Sequence, residues 1–157
     1  MRSVLWVVVL VAALSSVAGA KDRSIRPLPD DQCVALAQTL GSAAGIPLSL
    51  HTGVADYPAG LSGEACLMTG TAIGLTVSHA TVQARLDRAM GRWRPVPALD
   101  ADGPDSTTKA FVRDNVTVIY SLAQRPPLGT CEDVVQADCK VPRRHWHWTL
   151  DVTAFVE

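Results

Sequence analysis

The sequence holds few aromatic residues, no surplus of charge of either sign and, beyond its first 14 positions, no long apolar run. With aromatics at 5% of 157 residues, the interior has to be filled mainly by aliphatic side chains. Fourteen Lys plus Arg stand against 15 Asp plus Glu, which leaves no electrostatic case for nucleic acid as a partner. A helix needs roughly 20 apolar residues to span a bilayer, so no membrane insertion of the mature chain is expected. Signature motifs are missing as well. No Cys-x-x-Cys or Cys-x-x-His spacing supports a zinc or dithiol redox centre. Gly70 and Gly74 lack the following Lys-Ser/Thr of a phosphate loop, and Gly60-Leu61-Ser62-Gly63-Glu64 fails the nucleophile-elbow pattern at its last position. Asp100, Asp102 and Asp105 lack the distal glutamate of an EF-hand and read as turn residues. No cofactor is expected.

What is present begins with an address. Arg2, the apolar run Val4 to Leu14 and the small-residue site Ala18-Gly19-Ala20 have the pattern of a secretory signal peptide over residues 1–20, cleaved after Ala20. Removal leaves 137 residues, enough for one domain with its own core, and a formal charge of −2. Residues 21–29, polar and interrupted by Pro27 and Pro29, read as a flexible leader, and 30–157 as a single disulfide-braced domain. The expected destination is the periplasm or the medium.

All four cysteines, Cys33, Cys66, Cys131 and Cys139, follow the signal, in a compartment where thiols are oxidised. Four cysteines allow three connectivities. The short interval from Cys131 to Cys139, between Gly129 and Pro142, favours a local bridge and leaves Cys33 for Cys66.

Val34, Leu36, Ala37, Leu40 and Ala44 recur at helical spacing after Asp30 and Asp31, which can cap the helix, until Gly45 and Pro47 stop it. Ile46 to Val54 and Glu64 to Ile73 alternate as strands around a turn at Tyr57-Pro58-Ala59-Gly60. Ser78 is the N-cap of a second helix with Val82, Leu86, Ala89 and Met90 on its inward stripe and Gly91 at its end. Pro95 and Pro97 mark an edge, and Asp114-Asn115 a tight hairpin between Thr107 to Arg113 and Val116 to Ala123. The clearest strand is the last, Arg143 to Phe155. Its alternation sends Trp146, Trp148, Leu150, Val152 and Ala154 to a dry face and His145, His147, Thr149, Asp151 and Thr153 to a wet one. These elements predict an α+β fold: a two-layer sandwich, two helices on one face of a mostly antiparallel sheet of about five strands.

Two basic groups form the candidate binding surface. Arg85, Arg88 and Arg92 follow one another at helical spacing, and Arg143, Arg144, His145 and His147 lead into the last strand. Two histidines and Asp151 on one strand face also permit a metal site, but a catalytic zinc would still need a ligand from His51, His79 or elsewhere, and the adjacent Arg143 and Arg144 disfavour a cation. Gly63-Glu64-Ala65-Cys66, Thr69-Gly70-Thr71, Trp93 and Ala101-Asp102-Gly103-Pro104 together resemble a pattern of small exported bacterial proteins of unknown function, over the middle third of the chain. The sequence departs from that pattern in having Cys33 and in ending without a terminal cysteine. The resemblance implies an extracytoplasmic α+β domain and carries no activity. A non-enzymatic binding or accessory protein acting on a protein or envelope component is the leading expectation. The alternatives are a small secreted hydrolase or metal-dependent enzyme using the His145/His147 face, and a structural or assembly subunit.

Overall fold

The computed structural model describes residues 23–57, 61–131 and 138–157. In chain order these form β1 (Arg23–Pro27), α1 (Asp30–Ala44), β2 (Ser49–Tyr57), β3 (Leu61–Ile73), α2 (His79–Ala89), β4 (Arg94–Pro95), β5 (Ala101–Asp102), β6 (Ser106–Arg113), β7 (Val116–Arg125) and β8 (His147–Val156). Single 3-10 turns lie at Pro97–Leu99 and Arg143–His145. The proposed signal peptide, and the centre of the turn between β2 and β3, fall outside the described residues.

All eight strands share one sheet, ordered β2-β3-β1-β8-β7-β6-β4, with β5 also on β6 and β3 also on β8. The sheet is mixed, because β1 runs parallel to β3 and antiparallel to β8. This corrects the expected sandwich on a mostly antiparallel sheet of about five strands. The three extra strands escape periodicity for a physical reason. β4 and β5 are two residues each, too short to alternate. β1 carries the single large aliphatic Ile25 between charged and proline neighbours, so it reads as leader. In the fold Arg23–Pro27 is held by long-range pairing, with Ile25 opposite Gly63 and Pro27 opposite Phe155. Gly63, at φ 146°, permits that approach; a Cβ there would overlap the Ile25 carbonyl oxygen.

Both faces of the sheet bury apolar surface. α1 and α2 pack on each other and contribute Cys33, Leu40, Ala44, Val82 and Leu86 to one core with Met68, Tyr120, Leu122, Trp148, Leu150 and Val152. On the opposite face Ile25, Leu61, Ala65 and Phe155 make a smaller core. The histidine face of β8 is therefore wet only in its first part: His147 and Asp151 are exposed, and Phe155 is fully buried.

The helix ends follow local chemistry. α1 starts from Pro29 without a side-chain cap, so Asp30 and Asp31 act as first-turn acids that favour the helix dipole rather than as caps. It ends where Gly45 turns left-handed at φ 72° and its N–H bonds Gly41 O. At α2 the side chain of Ser78 accepts from the Thr81 N–H at 3.2 Å, as its position predicts. The hairpin turn between β6 and β7 uses Asp114 at φ 56°. Among the described residues no helix is long and apolar enough to cross a membrane.

Two crosslinks tie these layers. Cys33 bonds Cys66, pinning the first turn of α1 to β3, and Cys131 bonds Cys139, closing the loop ahead of β8. A polar tie crosses from sheet to helix, where Tyr120 on β7 donates its hydroxyl to Asp87 on α2 at 2.6 Å. Burial and then the Asp87 carboxylate push the Tyr120 phenol well above its ordinary range. Two outcomes follow from these ties. Loss of the 33-residue Cys33–Cys66 loop closure in a Cys33→Ala/Cys66→Ala variant lowers unfolding free energy in urea by about 4 kcal/mol, against about 2.5 kcal/mol for the shorter bridge. Tyr120→Phe costs about 1.5 to 3 kcal/mol at neutral pH. Because the folded phenol is raised, its contribution is complete below pH 10 and falls as pH climbs past it, so Tyr120→Phe also flattens the alkaline stability curve.

Candidate functional site

The seven basic residues singled out by sequence do not form one surface. Arg85 and Arg88, exposed on α2, flank a shallow depression against Ser42 and Ala43 of α1. Arg92 lies beyond the end of α2 and lines a cleft with Trp93 and Arg113, whose guanidinium sits 4.3 Å over the Trp93 ring. Arg143, Arg144, His145 and His147 are at the other end of the helix, where β8 begins. The helical spacing of the first three was thus misleading at Arg92, since α2 closes at Ala89.

The second group has a definite construction. Pro142 starts a 3-10 turn over Arg143–His145, so alternation stops there and β8 proper starts at His147. The turn is held against the exit of β3: Gly74 donates to Trp146 O at 3.0 Å, and only a glycine at φ 72° fits beneath the Arg144 carbonyl. Trp146 is buried, gives its indole N–H to Val141 O at 2.9 Å, and carries the Arg143 guanidinium 3.7 Å above its ring. Stacking on an indole orients an arginine while leaving its N–H fork available.

Arg143 lines a pocket of about 420 Å³ with Leu75, Ser78, His79, Gln124 and Trp148. Each wall comes from a different element. Ser78 and His79 open α2, whose N-terminal dipole end favours negative charge. Trp148 on β8 and Gln124 on β7 pair directly across the sheet. His79 stacks on Trp148 with ring centroids 6.2 Å apart, and its Nε2 lies 3.2 Å from Leu122 O. Leu75 and Trp148 supply apolar walls, Gln124 is buried, and Arg143, His79 and the N-terminus of α2 supply the polar ones.

Arg125 and His147 pair next to this pocket but face the opposite side of the sheet, so the basic character continues around the strand ends. One carboxylate stands near. Asp105, anchored by the Gln124 N–H to its carbonyl oxygen at 2.9 Å, lies in the field of Arg143, His79 and Arg125. Desolvation by burial holds its carboxyl above the ordinary value of 3.8, and Arg143, His79 and Arg125 offset part of that rise.

Its two loop neighbours are engaged elsewhere. Lys109 reaches Asp100 at 3.2 Å and Asp102 at 3.4 Å, and these partners outweigh desolvation to hold the ammonium above its ordinary value. The acidic loop is thus a lysine clasp plus one carboxylate turned to the basic corner. Periodicity could not reveal this, nor the part played by His79, because strand and helix period say nothing about contacts between loop side chains or between residues as far apart in sequence as His79, Asp105 and Arg143.

For the metal alternative, His145 lies in the turn while His147 and Asp151 are four strand positions apart, about 13 Å along the axis. Among the described residues no three His, Cys, Asp or Glu side chains gather in a way that holds a metal ion. No protein-family model, curated protein or solved structure matches this chain.

Asp105 offers a direct test of the electrostatics. A raised carboxyl binds its proton more tightly when folded, so its contribution to stability is present below pH 3.8 and is lost as pH rises through and above that value. Melting curves of Asp105→Asn are expected to gain on the parent protein as pH increases from the acid side towards neutrality. Parallel pH profiles for the two proteins count against the assigned environment.

Proposed function

We propose that this chain is an exported protein, released from residues 1–20, that acts without catalysis by binding an acidic group of a protein or envelope component at the Arg143–His79 pocket. The observation that carries this reading is the pocket's make-up: Arg143 stacked over Trp146, and His79 and Ser78 at the N-terminus of α2, beside the apolar side chains of Leu75 and Trp148. Such a site offers charge and hydrogen-bond donors from two directions, Arg143 and the start of α2, to a carboxylate or phosphate, with Leu75 beside them for an attached apolar group.

Export is supported by the signal-like start and by two disulfides that an oxidising compartment would preserve. The resemblance to small exported bacterial proteins points the same way. Hydrolysis or metal chemistry centred on His145, His147 and Asp151 draws no support from their separation along the chain's last turn and strand.

The test uses two probes, inorganic phosphate and a short polyglutamate peptide, titrated into the oxidised chain by calorimetry. Binding is expected to weaken with added salt and to fall roughly tenfold or more in Arg143→Gln, the loss of a charge-assisted hydrogen bond. Asp105→Asn, which removes the nearby carboxylate, should tighten it. Equal affinity of the parent protein and Arg143→Gln for both probes would remove the pocket from consideration.

A further inference from the structure

We infer that the outer rim of β2 joins two copies of this chain, paired antiparallel about a two-fold axis at Gly53, so that the sheet continues from one copy into the other. The two ends of the sheet are built differently. At one end the edge is broken into β4 and β5, two residues each, with Pro95 in the first and Pro97 and Pro104 close by. Short strands and prolines blunt an edge against pairing.

β2, the terminal strand at the other end, has neither device. It runs nine residues in unbroken register with β3, from Ser49 opposite Thr69 to Tyr57 opposite Leu61, and contains no proline, lysine or arginine. Its other rim pairs with nothing among the described residues. Apolar exposure is concentrated here too. Of the five large hydrophobic side chains left exposed among the described residues, Val34, Leu50 and Val54 stand at this edge, with Val54 at 74%. A groove of about 670 Å³ runs between α1 and β2, lined by Val34, Gln38, Gly41, Pro47, Leu48 and Leu50.

Charge and symmetry select a second copy as the occupant. Leu50, Thr52, Val54 and Asp56 share the face that bears Cys66 and Met68, beside α1. β2 holds one acidic residue, Asp56, close to its end. A two-fold axis at Gly53 sets Asp56 opposite Leu50 of the second copy and keeps the two carboxylates about 20 Å apart along the strands. Parallel self-pairing would set them side by side. The same axis sets Val54 opposite Thr52 of the second copy, diagonal to that copy's Leu50 at the mouth of its groove. Each copy thus offers its most exposed edge valine to the other's apolar groove, the reciprocal contact that a two-fold interface requires.

Sedimentation velocity on the oxidised chain without residues 1–20 tests this. The expected result is a dimer that dissociates on dilution, lost in Val54→Lys and in Leu50→Lys, and kept in Ile73→Lys, which places the same charge on an exposed apolar residue of β3. Hydrogen exchange on the parent protein needs no variant, and β2 amides should gain protection as concentration rises. A monomer at every concentration overturns the inference and leaves the edge to a segment of another protein. A dimer indifferent to both β2 lysines, or β2 protection that does not change with concentration, overturns it equally.

Discussion

β8 is paired along almost its whole length on both sides, with β3 from Ala154 back to His147 and with β7 from Val156 back to His147, and the remaining structure depends on this double pairing. A strand held between two neighbours has its backbone groups satisfied along both rims. One row, Trp148, Leu150, Val152 and Ala154, meets the helices, and from the other Phe155 meets β1. Where β3 and β8 part company, β1 fills the gap, reaching β3 through Ile25 and β8 through Pro27. The Cys33–Cys66 bond then fixes α1 over β3, opposite the point where Ala154 lies.

The same strand positions the basic corner. At His147 the double pairing ends, and the chain before it folds into a turn against Gly74 rather than extending the sheet. That change of direction puts Arg143 on the Trp146 ring and at the pocket formed by the start of α2 and the end of β7. The closed Cys131–Cys139 loop precedes this turn and limits the freedom of the chain that enters it. Side chains placed where regular pairing stops, as the proposed binding site has them, can present donors without giving up sheet hydrogen bonds, and the sheet supplies the rigid support.

Much of this was readable from residues. The alternation of Trp148 to Ala154, the Asp114-Asn115 hairpin, the Ser78 cap, the Gly45 stop and the Cys131–Cys139 pair are local signals, governed by side-chain period, φ preference or loop length, and Cys33–Cys66 follows by elimination. The strand number was not readable in the same way. Arg23–Pro27 has no amphipathic pattern of its own and becomes a strand only because β3 and β8 leave room for it. Nor did helical spacing show that Arg92 leaves the helix, or that His79 and Asp105 join Arg143, since these depend on how α2, β6 and the last turn meet in space.

The sequence by itself determined which segments alternate, where the helices start and stop, which cysteines pair, and that basic residues precede the last strand. Those properties come from interactions within a few residues or from the entropy of closing a loop. Only the tertiary structure decided the eight-stranded mixed sheet, the separation of the arginines into three places, and the contrast between a blunted edge and an open one at β2. Strand order and side-chain convergence are set by which apolar faces can be buried together at once, and that is a property of the whole chain.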